Sequence, residues 1–169
     1  MIITREWAMP SHNTFSIKPI RKLIEKYLDN GVWIDPFSRN SPFADRTITN
    51  DLSTEFKADY HLEAIDFLKL FDDVSVDGVL FDPPYSPRQI SECYKSIGRE
   101  VHTKDTQSSF YGDRKKEVAR LVKQGGVALS FGWNSGGIGK SLGFSIEEIL
   151  LVAHGGAHND TICTVERKL

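Results

Sequence analysis

The stretch Val79-Leu80-Phe81-Asp82-Pro83-Pro84-Tyr85 joins a short apolar run to an acid, two prolines and an aromatic residue. The apolar run predicts a buried strand, and open α/β sheets bind their ligands at strand ends. Proline fixes φ and lacks an N–H group, so the turn is stiff and its carbonyls stay free to accept hydrogen bonds. Asp82 and one such carbonyl can accept both hydrogens of an exocyclic amino group, and Tyr85 offers a flat face to a base. The same residues also fit an ordinary turn, since Asp-Pro is a common turn dipeptide.

Hydrophobic periodicity along the rest of the chain predicts an α/β fold. Apolar side chains recur at helical spacing in residues 20–28 and again in 113–123, where Gly125-Gly126 follows as a helix stop. Residues 86–111 read as a long polar connection of the kind that often forms a lid or binding loop. The predicted strands are residues 32–34, 47–49, one mixed with a helical turn within 61–71, then 78–81, 127–131, 146–152 and 161–165, the last two forming an antiparallel hairpin.

We call Asp82-Pro83-Pro84-Tyr85 the tetrad. Four further segments accompany it in chain order: Thr14-Phe15-Ser16-Ile17-Lys18-Pro19-Ile20, Trp33-Ile34-Asp35-Pro36-Phe37, Asn50-Asp51-Leu52 and Ile65-Asp66-Phe67-Leu68. Together with the tetrad they resemble an S-adenosylmethionine-dependent DNA methyltransferase of the adenine-N6 type, of the small kind found in phages. In that family the acid-Pro-Pro-aromatic tetrad is catalytic. The resemblance therefore implies a site-specific, adenine-specific DNA methyltransferase whose catalytic residues are Asp82, Pro83, Pro84 and Tyr85.

The resemblance also implies where the cofactor S-adenosylmethionine binds. Asp51 stands where an acid holds the ribose hydroxyls, and Asp66 stands with an apolar neighbour where the adenine is flanked. The segment at residues 14–20 matches the one that packs on the methionine end. The cofactor-binding residues so implied are Phe15, Ile17, Asp35, Pro36, Phe37, Asp51, Leu52, Asp66, Phe67 and Asp82.

The implied fold is a Rossmann-like class I methyltransferase. Its sheet would be mostly parallel, with one reversed strand at the edge and a C-terminal antiparallel hairpin. The connection at residues 35–47 is short for a parallel crossover, so we expect a version with trimmed helices. One departure concerns Ser38-Arg39-Asn40-Ser41, where the family has a glycine-rich turn. Glycine allows close backbone approach and positive φ, and Asn40 can adopt the left-handed conformation, though less readily than glycine.

The chemistry that the resemblance implies follows from the weak nucleophilicity of the adenine amino group, whose lone pair is delocalised into the ring. Hydrogen bonds from its two hydrogens to Asp82 and the Pro83 carbonyl would localise that pair and orient it for in-line transfer. Asp82 would also stabilise the positive charge that develops on nitrogen. Adenine in duplex DNA must first be flipped out of the helix, and Tyr85 would then stack on it.

Composition limits what else the chain can be. Its 169 residues, 26% charged and 40% hydrophobic, fit one domain over residues 1–169 with no separate target-recognition domain. The net charge of −2 is unexpected for a DNA enzyme, because phosphate contacts need cations. A local basic stripe after the tetrad would suffice, although a solvated helix face explains the same charges. The residues in question are Arg88, Arg114, Lys115 and Lys116.

Partners and location are expectations at this stage. Sequence specificity would come from loops, a second copy in a homodimer or an accessory recognition protein. The sequence has neither a signal-peptide pattern nor a membrane-length apolar run, which favours the cytoplasm, the host cytoplasm if the protein is phage-encoded. Cys93 and Cys163 are expected to be reduced thiols.

Two other motifs were weighed. Residues 131–137, Phe-Gly-Trp-Asn-Ser-Gly-Gly, follow a strand and fit either a base or phosphate contact or a structural turn. Residues 154–160 contain two histidines and an acid but lack the paired cysteines of thiolate zinc sites, so no metal is expected. Two other functions remain open: a non-catalytic DNA-binding or cofactor-sensing subunit, and a methyltransferase acting on RNA.

Overall fold

The computed structural model describes residues 1–102 and 108–169, and within them seven strands form one sheet. None of the helices in these two ranges combines the length and the apolar character needed to cross a membrane. The strands are β1 (Ile2–Trp7), β2 (Trp33–Asp35), β3 (Ile48–Thr49), β4 (Val76–Phe81), β5 (Val122–Gly132), β6 (Phe144–Ala153) and β7 (Thr161–Lys168). The α-helices are α1 (Lys18–Tyr27), α2 (Ala64–Leu68), α3 (Pro87–Ser96) and α4 (Ser108–Leu121).

The strand order is β1-β6-β7-β5-β4-β2-β3. Every neighbouring pair is parallel except those of β7, which runs antiparallel to both β5 and β6. The mostly parallel α/β sheet and its C-terminal antiparallel hairpin are confirmed. The reversed strand, however, lies inside the sheet rather than at its edge. The edge position is taken by β1, which the sequence did not predict because all six of its residues are exposed and give no alternating pattern.

Residues 61–71 hold no strand, so the strand predicted there is wrong. Ala64, Phe67 and Leu68 are buried at helical spacing and form the inner face of α2. The nearest sheet-like pairing is an isolated bridge between Asn50 and Tyr60. The expected trimming is confirmed between β2 and β3, which are joined by turns alone.

The connection after the tetrad is more ordered than predicted. Ser86 caps α3 by accepting a hydrogen bond from the Gln89 backbone N–H at 3.3 Å, and Pro87 occupies the first turn, where its missing N–H costs nothing. Ile90 and Tyr94 are buried beneath α3. Residues 103–107 of the predicted connection lie outside the described residues.

The sheet separates two apolar clusters. Successive residues of β4 alternate between them: Leu80 packs toward α1, whereas Val79 and Phe81 pack toward α2 and α4. Trp33 on β2 pairs with Gly78 on the neighbouring strand β4. A Cβ at Gly78 would stand 2.5 Å from the Trp33 ring. The absence of a side chain at Gly78 therefore lets the indole cover the β2–β4 pairing.

This contact gives a stability prediction. Gly78→Ala should lower the free energy of unfolding by about 1–3 kcal/mol, the usual cost of overpacking a core. The matched control is Gly112→Ala in α4, where no atom lies within 4 Å of the new Cβ. Gly112→Ala should raise stability by up to about 1 kcal/mol, through helix propensity. Urea denaturation measures both, and equal effects of the two substitutions would contradict the packing role of Trp33.

Candidate active site

The carboxyl ends of β2, β3 and β4 lie side by side at one edge of the sheet, where they border a cavity of about 600 Å³. The turns after β2 and β4 form one part of its wall. A 3-10 helix at Thr14–Ser16 and one face of α3 form another part, and the segment after β3 and residues near the start of α2 line it as well. The tetrad lies at the point where β4 leaves the sheet, so sheet topology alone brings it against residues that are distant in sequence.

Hydrogen bonds to and within the tetrad hold it in place. The Tyr85 hydroxyl donates to Asp82 Oδ1 at 2.6 Å, and the Tyr85 N–H donates to Gln89 Oε1 at 2.6 Å. The Tyr111 hydroxyl donates to the Pro84 carbonyl at 2.6 Å. Within residues 1–102 and 108–169, the Pro83 carbonyl accepts no hydrogen bond. Asp82 and Pro83 both line the cavity, so the carboxylate and this carbonyl are two acceptors beside it, and their predicted catalytic role stays a prediction.

The environment of Asp82 tunes its protonation. Burial raises the pKa of Asp82 to about 6, against the opposing effects of hydrogen bonds from Tyr85 and Thr14 and of the Arg39 charge. Burial, together with the adjacent Asp82, raises the pKa of the Tyr85 hydroxyl well above its ordinary value. At neutral pH Asp82 is thus mostly an ionised acceptor that lies close to its titration range, and Tyr85 is a neutral donor.

Asp51 also lines the cavity and is almost fully buried. Its Oδ2 accepts a hydrogen bond from the Arg39 N–H, and its Oδ1 accepts one from the Ser53 N–H, both at 2.9 Å. Its neighbour Asn50, which the sequence reasoning missed, donates from Nδ2 to the carbonyls of Pro36 at 3.1 Å and Leu62 at 3.0 Å. Asn50 thereby ties the turn after β2 to the segment that leads into α2.

Two buried polar atoms at the end of β2 lack partners. Asp35 is fully buried, and while its Oδ1 accepts from the Phe37 N–H at 3.2 Å, its Oδ2 has no hydrogen-bond partner within the described residues. The Ser38 hydroxyl, at the cavity wall, is likewise buried and unpartnered there. Burial raises the pKa of Asp35 well above its ordinary value, and the charges of Asp82 and Asp51 raise it further.

The structure brings most, but not all, of the predicted cofactor residues to the cavity. Asp35 and Ile17 are buried nearby without lining it, and Asp66 is exposed on α2. Phe67 points away into the core, against Tyr60 and Phe71. Leu62 and Ala64, rather than Asp66 and Phe67, line this side of the cavity. The predicted residues that do line it are Phe15, Pro36, Phe37, Asp51, Leu52 and Asp82 to Tyr85.

The turn after β2 has no glycine, and one of its other residues takes the left-handed conformation. Arg39, not Asn40, takes the left-handed conformation, with φ of 44°. That conformation is uncommon for a non-glycine residue and here aims the Arg39 N–H at Asp51. The Arg39 guanidinium lies 5.3 Å from the centre of the Phe56 ring, and both residues line the cavity.

Arg114 does not have the exposed position that its predicted DNA contact requires. Its side chain is only 8% exposed, its Nη1 donates to the Phe110 carbonyl at 2.8 Å, and its Nη2 lies 3.8 Å from Glu63 Oε2. The guanidinium also stacks on the Phe110 ring at 3.4 Å. The prediction for Arg114 is therefore corrected, because a guanidinium enclosed by protein is a structural contact. Lys115 is half-buried, with its pKa lowered by burial.

Arg88 and Lys116 are exposed, and each forms an ion pair within its own helix. Arg88 Nε lies 2.8 Å from Glu92 Oε1, and Lys116 Nζ lies 3.4 Å from Asp113 Oδ1. Exposed pairs of this kind contribute little stability and exchange readily with other anions. Their role in binding DNA stays a prediction.

The helix α3 supplies cavity residues that the sequence reasoning missed because it read this region as a loop. Ile90, Tyr94 and Ile97 recur at helical spacing, and that signal, with the Ser86-Pro87 start, would have found the helix. The α3 residues at the cavity are Gln89, Ile90, Glu92, Cys93, Tyr94 and Ser96.

The two remaining motifs lie at the same edge of the sheet. Trp133, directly after β5, packs edge-to-face on Tyr85 with ring centres 5.8 Å apart. The glycine-rich turn beyond it is held by Glu166, which accepts from the N–H groups of Ile138 at 2.5 Å and Gly139 at 3.0 Å. The structure thus supports a structural role for that turn, while leaving Trp133 beside the tetrad.

His154 has a structural position in the turn between β6 and β7. Its Nδ1 lies 2.9 Å from the Ala8 carbonyl and its Nε2 lies 2.8 Å from Thr161 Oγ1. Among the described residues no group of three metal-ligating side chains comes together. Both cysteines, Cys93 and Cys163, are free thiols.

The contact between Tyr85 and Asp82 can be tested by titration. Tyr85→Phe keeps the ring and removes the donor that stabilises the ionised carboxylate, so the pKa of Asp82 should rise above its value of about 6. Tyr111→Phe removes a hydroxyl that contacts the Pro84 carbonyl and should leave that pKa within a few tenths of a unit. Carbon-detected NMR titration of the Asp82 carboxyl measures both shifts, and an unchanged pKa in Tyr85→Phe would contradict the contact.

Comparison with known proteins gives a consistent answer at the level of the fold. No family model matches the chain, and no curated protein matches it in sequence. Among solved structures, TrmN from Thermus thermophilus superposes with a TM-score of 0.61 at 15% identity, over 90% of this chain and 49% of that one. A SAM-dependent methyltransferase from Methanosarcina mazei gives a TM-score of 0.59 at 12% identity, over 87% and 97%.

A third structure carries ligands. The 1,6-didemethyltoxoflavin-N1-methyltransferase of Burkholderia thailandensis, with bound 1,6-didemethyltoxoflavin and S-adenosylhomocysteine, gives a TM-score of 0.55 at 11% identity, over 88% of this chain and 75% of that one. The chain spans about half the length of TrmN. At these identities the likeness concerns the fold alone, and it agrees with the strand order described above. The chain has the Rossmann-like fold of class I S-adenosylmethionine-dependent methyltransferases.

Proposed function

We propose that this protein transfers the methyl group of S-adenosylmethionine to the N6 amino group of adenine in DNA. One observation carries the proposal: the Asp82 carboxylate and the Pro83 carbonyl stand at the end of β4 beside a cavity of about 600 Å³ that Asp51 also lines. Two acceptors next to each other suit a group with two N–H donors. An exocyclic amino group is such a group, and Tyr85 beside them suits its aromatic ring.

The residues around the cavity fit the proposed cofactor. The volume lies in the range of small-molecule sites, and each Asp51 oxygen has a lone pair left after its backbone hydrogen bond, as contact with ribose hydroxyls requires. The unpartnered Ser38 hydroxyl offers a hydrogen bond to the amino-acid end, and Phe15 offers an apolar wall. The B. thailandensis enzyme of the same fold holds S-adenosylhomocysteine. When bound, S-adenosylmethionine supplies an electrophilic sulfonium methyl group.

The protein's own part in the reaction is to orient the amino group and receive its proton. Hydrogen bonds to Asp82 and to the Pro83 carbonyl fix the amino plane and make the nitrogen lone pair available. As the nitrogen–carbon bond forms and the sulfur–carbon bond breaks, the nitrogen becomes positively charged, and the Asp82 carboxylate stabilises that charge. The nitrogen then gives one proton to Asp82. Because the pKa of Asp82 is about 6, the proton passes on to solvent at neutral pH.

The choice between DNA and RNA, and between catalysis and binding alone, concerns the same site. Adenine N6 also exists in RNA, and the adenine pocket does not distinguish the two polymers, so RNA methylation is an outcome that the assay must separate. A subunit that binds cofactor or DNA without catalysis is the other outcome. In the proposed DNA enzyme, a homodimer or an accessory protein would add sequence recognition.

The activity test uses labelled S-adenosylmethionine with separate pools of single-stranded DNA, duplex DNA, RNA and protein. We expect N6-methyladenine in DNA by nucleoside mass spectrometry. Asp82→Ala should lower the rate by about a hundredfold or more at an unchanged melting temperature, since it removes a preorganised acceptor. Label in RNA alone would reassign the substrate, and label in no pool, with measurable cofactor binding, would favour the non-catalytic function.

The cofactor assignment has a matched pair of variants. Asp51→Ala should weaken binding of S-adenosylhomocysteine by roughly 1–3 kcal/mol, because a buried contact is lost. Asp66→Ala should leave affinity unchanged, since Asp66 is exposed outside the cavity. Calorimetry measures both, and thermal melting checks that the turn around Asp51 stays folded. Equal affinities for all three proteins would place the cofactor elsewhere.

A further inference from the structure

Two exposed tryptophans stand at the edge of the sheet that holds the candidate active site. Trp133 is 41% exposed and Trp7 is 65% exposed, although tryptophan is usually among the most buried side chains. Trp133 directly follows β5, and Trp7 is the last residue of β1. Neither is used by the cofactor cavity, since neither lines it.

Strand register fixes their relative position. Gly132 pairs with Ile162, Ile162 with Leu151, and Leu151 with Arg5, so these four residues form one row across β5, β7, β6 and β1. Trp133 comes one residue after that row and Trp7 two residues after it, in the same direction because β5 and β1 both run parallel to β6. Three strand spacings of about 4.8 Å separate β5 from β1, which places the two backbone positions about 14 Å apart across the strands, with an offset of one residue along them.

The turn from β6 to β7 lies between the two indoles and is exposed at residues 155–160. It begins with the small residues Gly155, Gly156 and Ala157 and ends with the polar residues His158, Asn159 and Asp160. The Trp7 indole nitrogen lies 3.4 Å from the point where a Cβ on Gly155 would stand, so the ring lies against this turn. His154 fixes the arrangement by linking the Ala8 carbonyl to Thr161. Trp7 is thereby held beside the hairpin although β1 is an edge strand.

The other end of this row meets the tetrad. Trp133 packs edge-to-face on Tyr85, whose hydroxyl contacts Asp82. A base stacked on Trp133 would therefore be the neighbour of a base held at Asp82. A span of about 14 Å beyond it corresponds to roughly four stacked nucleotides.

We propose that Trp133 and Trp7 are stacking platforms for unpaired bases that flank the target adenine, so that the protein binds a single strand along the carboxyl edge of its sheet. Every base has a face that stacks on an aromatic ring, so such platforms bind single strands without reading their sequence. The identity of the target base rests on the proposed function, whereas the stacking platforms rest on the two tryptophans. The proposed ligand is a run of unpaired bases, which single-stranded DNA and single-stranded RNA both offer.

The test measures the affinity of the intact chain for fluorescent eight-nucleotide strands, as deoxy- and ribo-oligomers, by anisotropy. Trp133→Ala and Trp7→Ala should each weaken binding by roughly 5- to 100-fold, the range for loss of one stacked base. Trp133→Phe and Trp7→Phe should restore most of the loss. The control is Leu70→Ala, which truncates a 55% exposed apolar side chain beyond α2 and should leave the affinity unchanged.

Quenching of tryptophan fluorescence by the strand should also decrease in each Trp→Phe variant. Equal octamer affinities in the wild type and in both alanine variants would overturn the inference. A second outcome would also overturn it. If sedimentation at the assay concentration shows a wild-type dimer that dissociates in Trp7→Ala, the weaker strand binding would come from loss of the dimer, in which a second copy covers that indole. Trp-dependent strand binding without methyl transfer in any pool would refute the proposed function and leave the stacking platforms standing.

Discussion

The arrangement of this protein depends on the crowding of three carboxylates at one edge of its sheet. Asp35 and Asp82 end parallel neighbouring strands, and Asp51 follows a third, so topology forces them together. Each is stabilised differently. Asp51 accepts two backbone N–H groups, Asp82 accepts from Tyr85 and is close to the Arg39 charge, and Asp35 is buried so completely that its pKa rises well above its ordinary value. Burial, neighbouring charge and hydrogen bonding thus give three chemically similar groups three different electrostatic environments.

A polar network centred on Glu63 connects the helices on one side of the sheet. Glu63, just before α2, accepts a hydrogen bond from the Tyr94 hydroxyl at 3.0 Å and pairs with Arg99. It also lies 3.8 Å from Arg114 of α4. One partly exposed carboxylate therefore links the start of α2, the α3 region and α4. Removing one member of such a network leaves the other charges unpaired, so its effect would exceed that of a single surface ion pair.

The sequence predicted the parts of this structure that local pattern controls. The apolar run before Asp82 and the hairpin were recoverable because burial imposes period and composition on them. The strand at Ile2–Trp7 was not, since an edge strand with both faces exposed carries no pattern. Arg114 shows a different limit: a basic residue bound to a carboxylate beneath a helix and one bound to phosphate look alike in sequence. Asp66 and Phe67 do not line the cavity, because α2 directs Asp66 toward solvent and Phe67 into the core. A motif match does not show which face of a helix a residue occupies.

The distribution of charge bears on how the proposed nucleic-acid substrate would be bound. The net charge is −2, and the one buried cation of the predicted basic stripe already has protein partners. Counterion release is proportional to the number of phosphates neutralised, so affinity from that source falls steeply as the salt concentration rises. Stacking does not require a charge, and it favours bases that are already unpaired, because no duplex must be opened first. On the proposed function, an edge that offers exposed aromatic faces next to Asp82 would therefore suit single strands better than an intact duplex.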